Sequence, residues 1–174
     1  MLVFDTETTK LVLPGIADIT KQPHIIEFAM IKLGNNYKEI GRCEFLINPG
    51  IDIDEAEHAK ITGLTNAELT DQPMFFEVLP AIIDFVIGER KIVAHNLPFD
   101  MSVLVSELKR NNAEYSFPYP PEQICTVAAT EHIHGKRMKM KDLYEHLIGK
   151  KLDQKHRAMA DVEALVQIIK KLKL

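Results

Sequence analysis

The chain has 174 residues, 46% apolar and 26% charged, values that suit one folded domain with a real core. A formal net charge of −4 argues against a sequence-wide basic surface of the kind that holds DNA nonspecifically. It leaves room for a nucleic-acid enzyme, because bound divalent metals offset acids at a site. No apolar run approaches the ~18 residues of a membrane span, and the N-terminus lacks the pattern of a secretory signal. The two cysteines, Cys43 and Cys125, make no disulfide framework, so a reducing, cytoplasmic location is expected.

In chain order, LVFDTE (2–7) predicts a strand, HIIEFAMIKL (24–33) a second and CEFLINPG (43–50) a third, with asparagines at 35–36 as a turn signal. Their short links predict an antiparallel meander. DEAEHAKITG (54–63) reads as a short helix ended by Gly63. MFFEVLPAIIDFVIG (74–88) has helical apolar spacing, with Pro80 as a blemish. KIVAHN (91–96) reads as a short buried strand. Asn96 can cap the helix that follows, with Pro98 in its first turn and an end near Asn111. Prolines make 111–123 a loop. ICTV (124–127) opens a strand or a strand–helix unit, and 138–149 and 157–173 are helices. A meander followed by alternating helices and strands predicts an α/β fold, a mixed sheet with helices packed on it.

Four acids stand out at the ends of these elements. On a strand, residues two apart share a face, so Asp5 and Glu7 lie together with Val3, opposite Leu2, Phe4 and Thr6. Alone, the pair reads first as the polar outer face of a half-solvated strand, and is weak evidence of a site. Asp161 falls on one helical line with Leu165, Ile168 and Leu172, the stripe that should face the core. An acid early in a helix is also simply favoured by the macrodipole, and Asp100 in the helix after KIVAHN invites the same two readings. His156 lies five positions before Asp161. Five helical residues turn about 500°, so the two converge only if His156 sits in the entry loop. His95 and Asn96 end a strand, where ligands collect in open sheets.

If these acids converge, carboxylates about 4–5 Å apart repel by roughly 3–4 kcal/mol per pair at an effective dielectric near 20. Divalent cations remove that penalty, and oxygen-only ligands favour magnesium or manganese. Two such metals with a nearby histidine are an arrangement for phosphodiester hydrolysis.

The motifs FDTETT (4–9), HNLPFDMSVL (95–104) and HRAMAD (156–161) occur in that order, the last with H-x-A-x-x-D spacing. With IIEFAMIKL, KITGLT (60–65) and the Cys125-Thr126 pair, the chain resembles the DEDD, or DnaQ-like, 3′→5′ exonucleases of the histidine subclass. The wording of the first motif is most similar to the proofreading epsilon group of bacterial replicative polymerases.

The resemblance implies a ribonuclease H-like fold with a five-stranded mixed sheet flanked by helices, and release of nucleoside monophosphates from single-stranded or frayed 3′ ends. It implies that Asp5, Glu7, Asp100 and Asp161 hold two Mg²⁺ or Mn²⁺ ions, with Asp5 bridging, and that His156 is the general base. Thr6, Thr8 and Thr9 would line the 3′-terminal nucleotide, and Asn96 and Phe99 would shape the cleft. The family carries glycine after the second threonine where this chain has Lys10, which either takes a different turn or reaches a substrate phosphate.

DNA is the favoured substrate, with RNA-end trimming and a non-catalytic subunit of a replication complex as alternatives. One exonuclease domain over 1–174 is expected, either stand-alone or held to a polymerase subunit by surface contacts. The H-x-H of His132 and His134 reads as a solvated helix end. The basic run GKRMKMK (135–141) is either a backbone contact or a solvated face.

Overall fold

In the computed structural model, residues 1–152 and 156–174 are described, except for the side chain of His134, so that half of the H-x-H lies outside the described residues. The strands are β1 (Leu2–Thr8), β2 (Ile25–Leu33), β3 (Glu39–Leu46), β4 (Lys91–Ala94) and β5 (Glu122–Cys125). The helices are α1 (Glu55–Ile61), α2 (Asn66–Thr70), α3 (Phe75–Val86), α4 (Leu97–Arg110), α5 (Thr126–His134), α6 (Met140–Ile148) and α7 (Ala158–Leu172).

The sheet order is β3-β2-β1-β4-β5, with the first three strands antiparallel and β4 and β5 parallel to β1. This is the expected five-stranded mixed sheet flanked by helices. The period-2 alternation of β1 sorts its side chains between two cores. Leu2 and Phe4 pack with α3 and α4 residues such as Ile82, Val103 and Leu104. Val3 packs with Ala29 and Ile31 against Leu143 of α6 and Val162, Leu165 and Ile169 of α7. A smaller cluster, Ile26, Ile53, Leu64 and Leu69, joins β2 to α2 and to the residues that flank α1.

Local differences from the sequence expectations have local causes. β3 begins at Glu39, four residues early, as an edge strand whose exposed Ile40 and half-buried Gly41 carry no core signal. The helix α2 was not expected, although Thr65 and Glu68 form a reciprocal capping box at its start. Pro80 sits inside α3 on its exposed side, where water can reach the carbonyl it cannot serve. Asn96 occupies the N-cap position of α4 in the left-handed region, φ 67°, and makes no side-chain cap. Its amide carbonyl instead accepts from Arg137 at 3.1 Å.

Candidate active site

β1 pairs along its whole length with β2, but its pairing with β4 is limited to Leu2–Ile92 and Val3–Val93. Beyond Val3 the two parallel strands part. A crevice opens at their carboxyl ends, the place where ligands bind in such sheets. Asp5 and Glu7 stand on its floor. β4 runs into His95, Asn96 and then α4, whose first turn carries Asp100 to the same crevice. Thr6 holds Asp100 there: its backbone N–H and its hydroxyl both donate to Oδ1, at 3.1 and 2.8 Å.

Asp161 enters from α7 and is buried on the stripe with Leu165 and Ile168. His156 lies before Arg157, the N-cap residue of α7, with φ 45°. It is thus outside the helix, as convergence requires. Ligand atoms of Glu7, His156 and Asp161 lie within 4.8 Å of one another. Asp5, Glu7, Asp100, Asp161 and His156 all line one cavity of about 630 Å³, together with Thr6, His95, Asn96 and Phe99.

Such crowding of acids out of water is unfavourable for their charged forms. Burial first, then the charges of Asp100, Glu7, Asp161 and Glu27, push the Asp5 carboxyl well above its ordinary range. Burial and the same neighbours raise Glu7 to about 9, with Arg157 opposing. Burial raises Asp100 to about 7, against the two Thr6 hydrogen bonds. Among the described residues, neither Asp5 nor Glu7 has an ion-pair partner. A set of converging carboxylates with one imidazole fits a hard divalent cation, which would supply the missing positive charge.

Thr8 and Thr9 line an adjoining cavity of about 240 Å³ that shares Thr6, Glu7, Leu11 and Phe99 with the first. Their hydroxyls are engaged internally: Thr8 donates to the Lys10 carbonyl at 2.9 Å, and Thr9 Oγ1 accepts from the His24 N–H at 3.0 Å. The surface they offer to this cavity is backbone and methyl. Outside glycine, positive φ among the described residues falls at Asn36, Tyr37, Asn96, Asn112, His156 and Lys173, and not at Lys10. The turn at Lys10 therefore makes no demand for glycine.

A supporting layer was not foreseen. Glu27 on β2 faces Glu7 across the ladder, is fully buried, and is gripped by Arg157 through Nε and Nη2 at 3.0–3.2 Å. The signal was an acid within the apolar run 25–31 of that strand. His58 of α1 is buried and lies 3.3 Å from the Thr9 carbonyl, tying α1 to the threonine turn. His95 lies between Thr126 Oγ1 at 2.9 Å and the Met138 carbonyl at 3.1 Å, and burial holds its imidazole below the usual pKa.

The exonuclease family RNase_T matches residues 2–169 of the chain. A PolC-type DNA polymerase III of Caldanaerobacter subterraneus subsp. tengcongensis is 31% identical over 98% of this chain and 11% of its own length. A DNA polymerase III subunit epsilon of Pasteurella multocida is 29% identical over 96% of this chain and 65% of its own. The chain thus spans a small fraction of the first relatives and under two thirds of the second. The nuclease domain of 3′hExo, a DEDDh family member bound to rAMP, superposes with a TM-score of 0.80 at 16% identity, covering 99% of this chain and 90% of that one. That likeness establishes the ribonuclease H-like fold. No helix among the described residues is long and apolar enough to cross a membrane. The motifs in order and the family match from end to end lead to one conclusion: the chain belongs to the DnaQ-like RNase_T exonuclease family, whose members depend on divalent metal.

Proposed function

We propose that residues 1–174 form a single exonuclease unit that removes nucleoside monophosphates from single-stranded or frayed 3′ ends, DNA in preference to RNA. The observation that carries this is the convergence of Asp5, Glu7, Asp100, Asp161 and His156 on one cavity. The preference for DNA rests on the DNA polymerase III relatives. They also favour proofreading beside a polymerase subunit in the cytoplasm as the setting.

Asp5, Glu7, Asp100 and Asp161 would hold two Mg²⁺ or Mn²⁺ ions. When bound, such ions stabilise charge on phosphoryl oxygens and acidify water. The remaining work belongs to the chain. His156, the histidine of the DEDDh branch, takes the proton of the attacking water on a ring nitrogen. Thr6 fixes the Asp100 carboxylate through its two donors. The Arg157–Glu27 pair anchors the backbone next to His156. The backbone and methyls of Thr6, Thr8 and Thr9, with Asn96 and Phe99, seat the terminal nucleotide and exclude water from it.

The test is incubation with matched 3′-labelled and 5′-labelled DNA and RNA oligonucleotides in magnesium or manganese, with and without chelator. Stepwise shortening from the 3′ end that chelator stops is expected, faster on DNA. No shortening of either substrate sinks the assignment. Faster shortening of RNA replaces the substrate.

A further inference from the structure

The cavity that holds the acids has basic lining as well. Arg137 and Lys139 line the same cavity as Asp5, Glu7 and Asp161, and both are exposed to solvent. They belong to the run GKRMKMK, which is not helical until Met140. Two contacts from the end of β4 hold this segment in place: His95 to the Met138 carbonyl at 3.1 Å, and Asn96 Oδ1 accepting from Arg137 at 3.1 Å. Asn96 makes that contact from a left-handed backbone, φ 67°, so the sheet terminus is shaped to present it.

What distinguishes these two cations is their place on the acid-lined cavity, with no carboxylate among the described residues claiming their charge. Arg42, Arg110 and Arg157 each pair with a carboxylate. Among the described residues neither Arg137 nor Lys139 has an ion-pair partner, and the Arg137 guanidinium rests on a neutral amide. Its charge is left open toward the cleft. The acids and the net charge of −4 make this region hostile to a polyanion except where cations stand. Metal held by the acids would offset the charge of one phosphate. The neighbouring phosphates of a strand need cations of the protein's own.

We propose that Arg137 and Lys139 form a phosphate-binding wall that grips the nucleic-acid backbone upstream of the scissile bond. This rests on the nuclease reading of the same cavity. The wall makes affinity depend on chain length and salt, while leaving the chemistry at the 3′-terminal phosphate to the acids and His156. Arginine suits the role because its planar fork matches a phosphate in two-point contact.

The experiment compares wild type with Arg137→Ala, Lys139→Ala and the double variant on two substrates. One is an oligothymidylate. The other is the p-nitrophenyl ester of thymidine 5′-monophosphate, which has one phosphodiester and nothing upstream. On the oligonucleotide the double variant should raise KM about tenfold or more with kcat within about twofold, and each substitution should flatten the salt dependence of log kcat/KM by about one phosphate contact. The loss on the ester should be several-fold smaller. An unchanged KM, or an equal loss on both substrates, overturns the wall. Anisotropy of a labelled oligothymidylate in calcium reads the same contacts without turnover, and unweakened binding by the double variant likewise overturns it. A wild type that binds in an Arg137-dependent way yet cleaves neither substrate leaves the wall standing and refutes the nuclease reading.

Discussion

Replacing Arg157 by Met tests what holds this corner of the candidate site together. Glu27 is fully buried, and Arg157 is its ion-pair partner, through Nε at 3.0 Å from Oε2. Removing one partner of a buried pair costs about 3–5 kcal/mol, because the other charge is left without compensation. The Arg157 side chain is 40% exposed, so solvent screens part of the interaction and the expected loss falls to about 2–3 kcal/mol. For a chain of this size that lowers Tm by roughly 4–12 °C. The chain has no tryptophan, so far-UV circular dichroism of the metal-free protein at neutral pH is the suitable probe. A double variant, Glu27→Leu with Arg157→Met, removes both charges and should recover most of the lost Tm. It should not recover kcat, because the backbone beside His156 is no longer tied to the sheet. A single variant that melts within about 2 °C of wild type, or a double variant that melts as low as the single, refutes the reasoning.

Further outcomes follow from the same geometry. His156→Ala should lower kcat about 10²–10⁴-fold, and calorimetric titration with manganese should show metal binding largely kept. Asp5→Ala or Asp161→Ala should abolish hydrolysis with little loss of folding; wild-type rates from either would remove that acid from the site. Thr6→Val deletes the 2.8 Å bond to Asp100 and should weaken metal binding about 10–100-fold in the same titration. In the metal-free protein the raised groups, Glu7 at about 9 and Asp100 at about 7, keep protons that the unfolded chain has already shed. Their contribution to folding stability should therefore be greatest below the ordinary carboxylate range and be lost as pH rises through about 7 and 9. Divalent cations should raise Tm most at the alkaline end. A flat Tm between pH 5 and 9 without metal would contradict these shifts.

Much of the site was legible in the residues because it rests on local periodicity. A strand repeats every two residues, so Asp5 and Glu7 had to share a face with Val3, and they do. A helix repeats every 3.6, so Asp161 had to lie on the stripe of Leu165 and Ile168, and it is buried there. Resemblance supplied the link among the motifs. Periodicity even set the condition for His156, which had to stand outside the helix.

What periodicity could not provide is the way that condition is met. His156 adopts φ 45°, and Arg157 reaches back across 130 residues to Glu27. Both depend on β2 lying beside β1 and on α7 packing over the two. Asn96 shows the same limit from the other side. Its residue type suits a helix cap, yet its partner is Arg137, brought to it from 41 residues away. The threonine hydroxyls likewise turn to internal partners. By itself, the sequence determined which acids share faces and which elements carry them, since backbone geometry dictates both. Only the tertiary structure decided which charge faces which, because those contacts join residues that no local repeat relates.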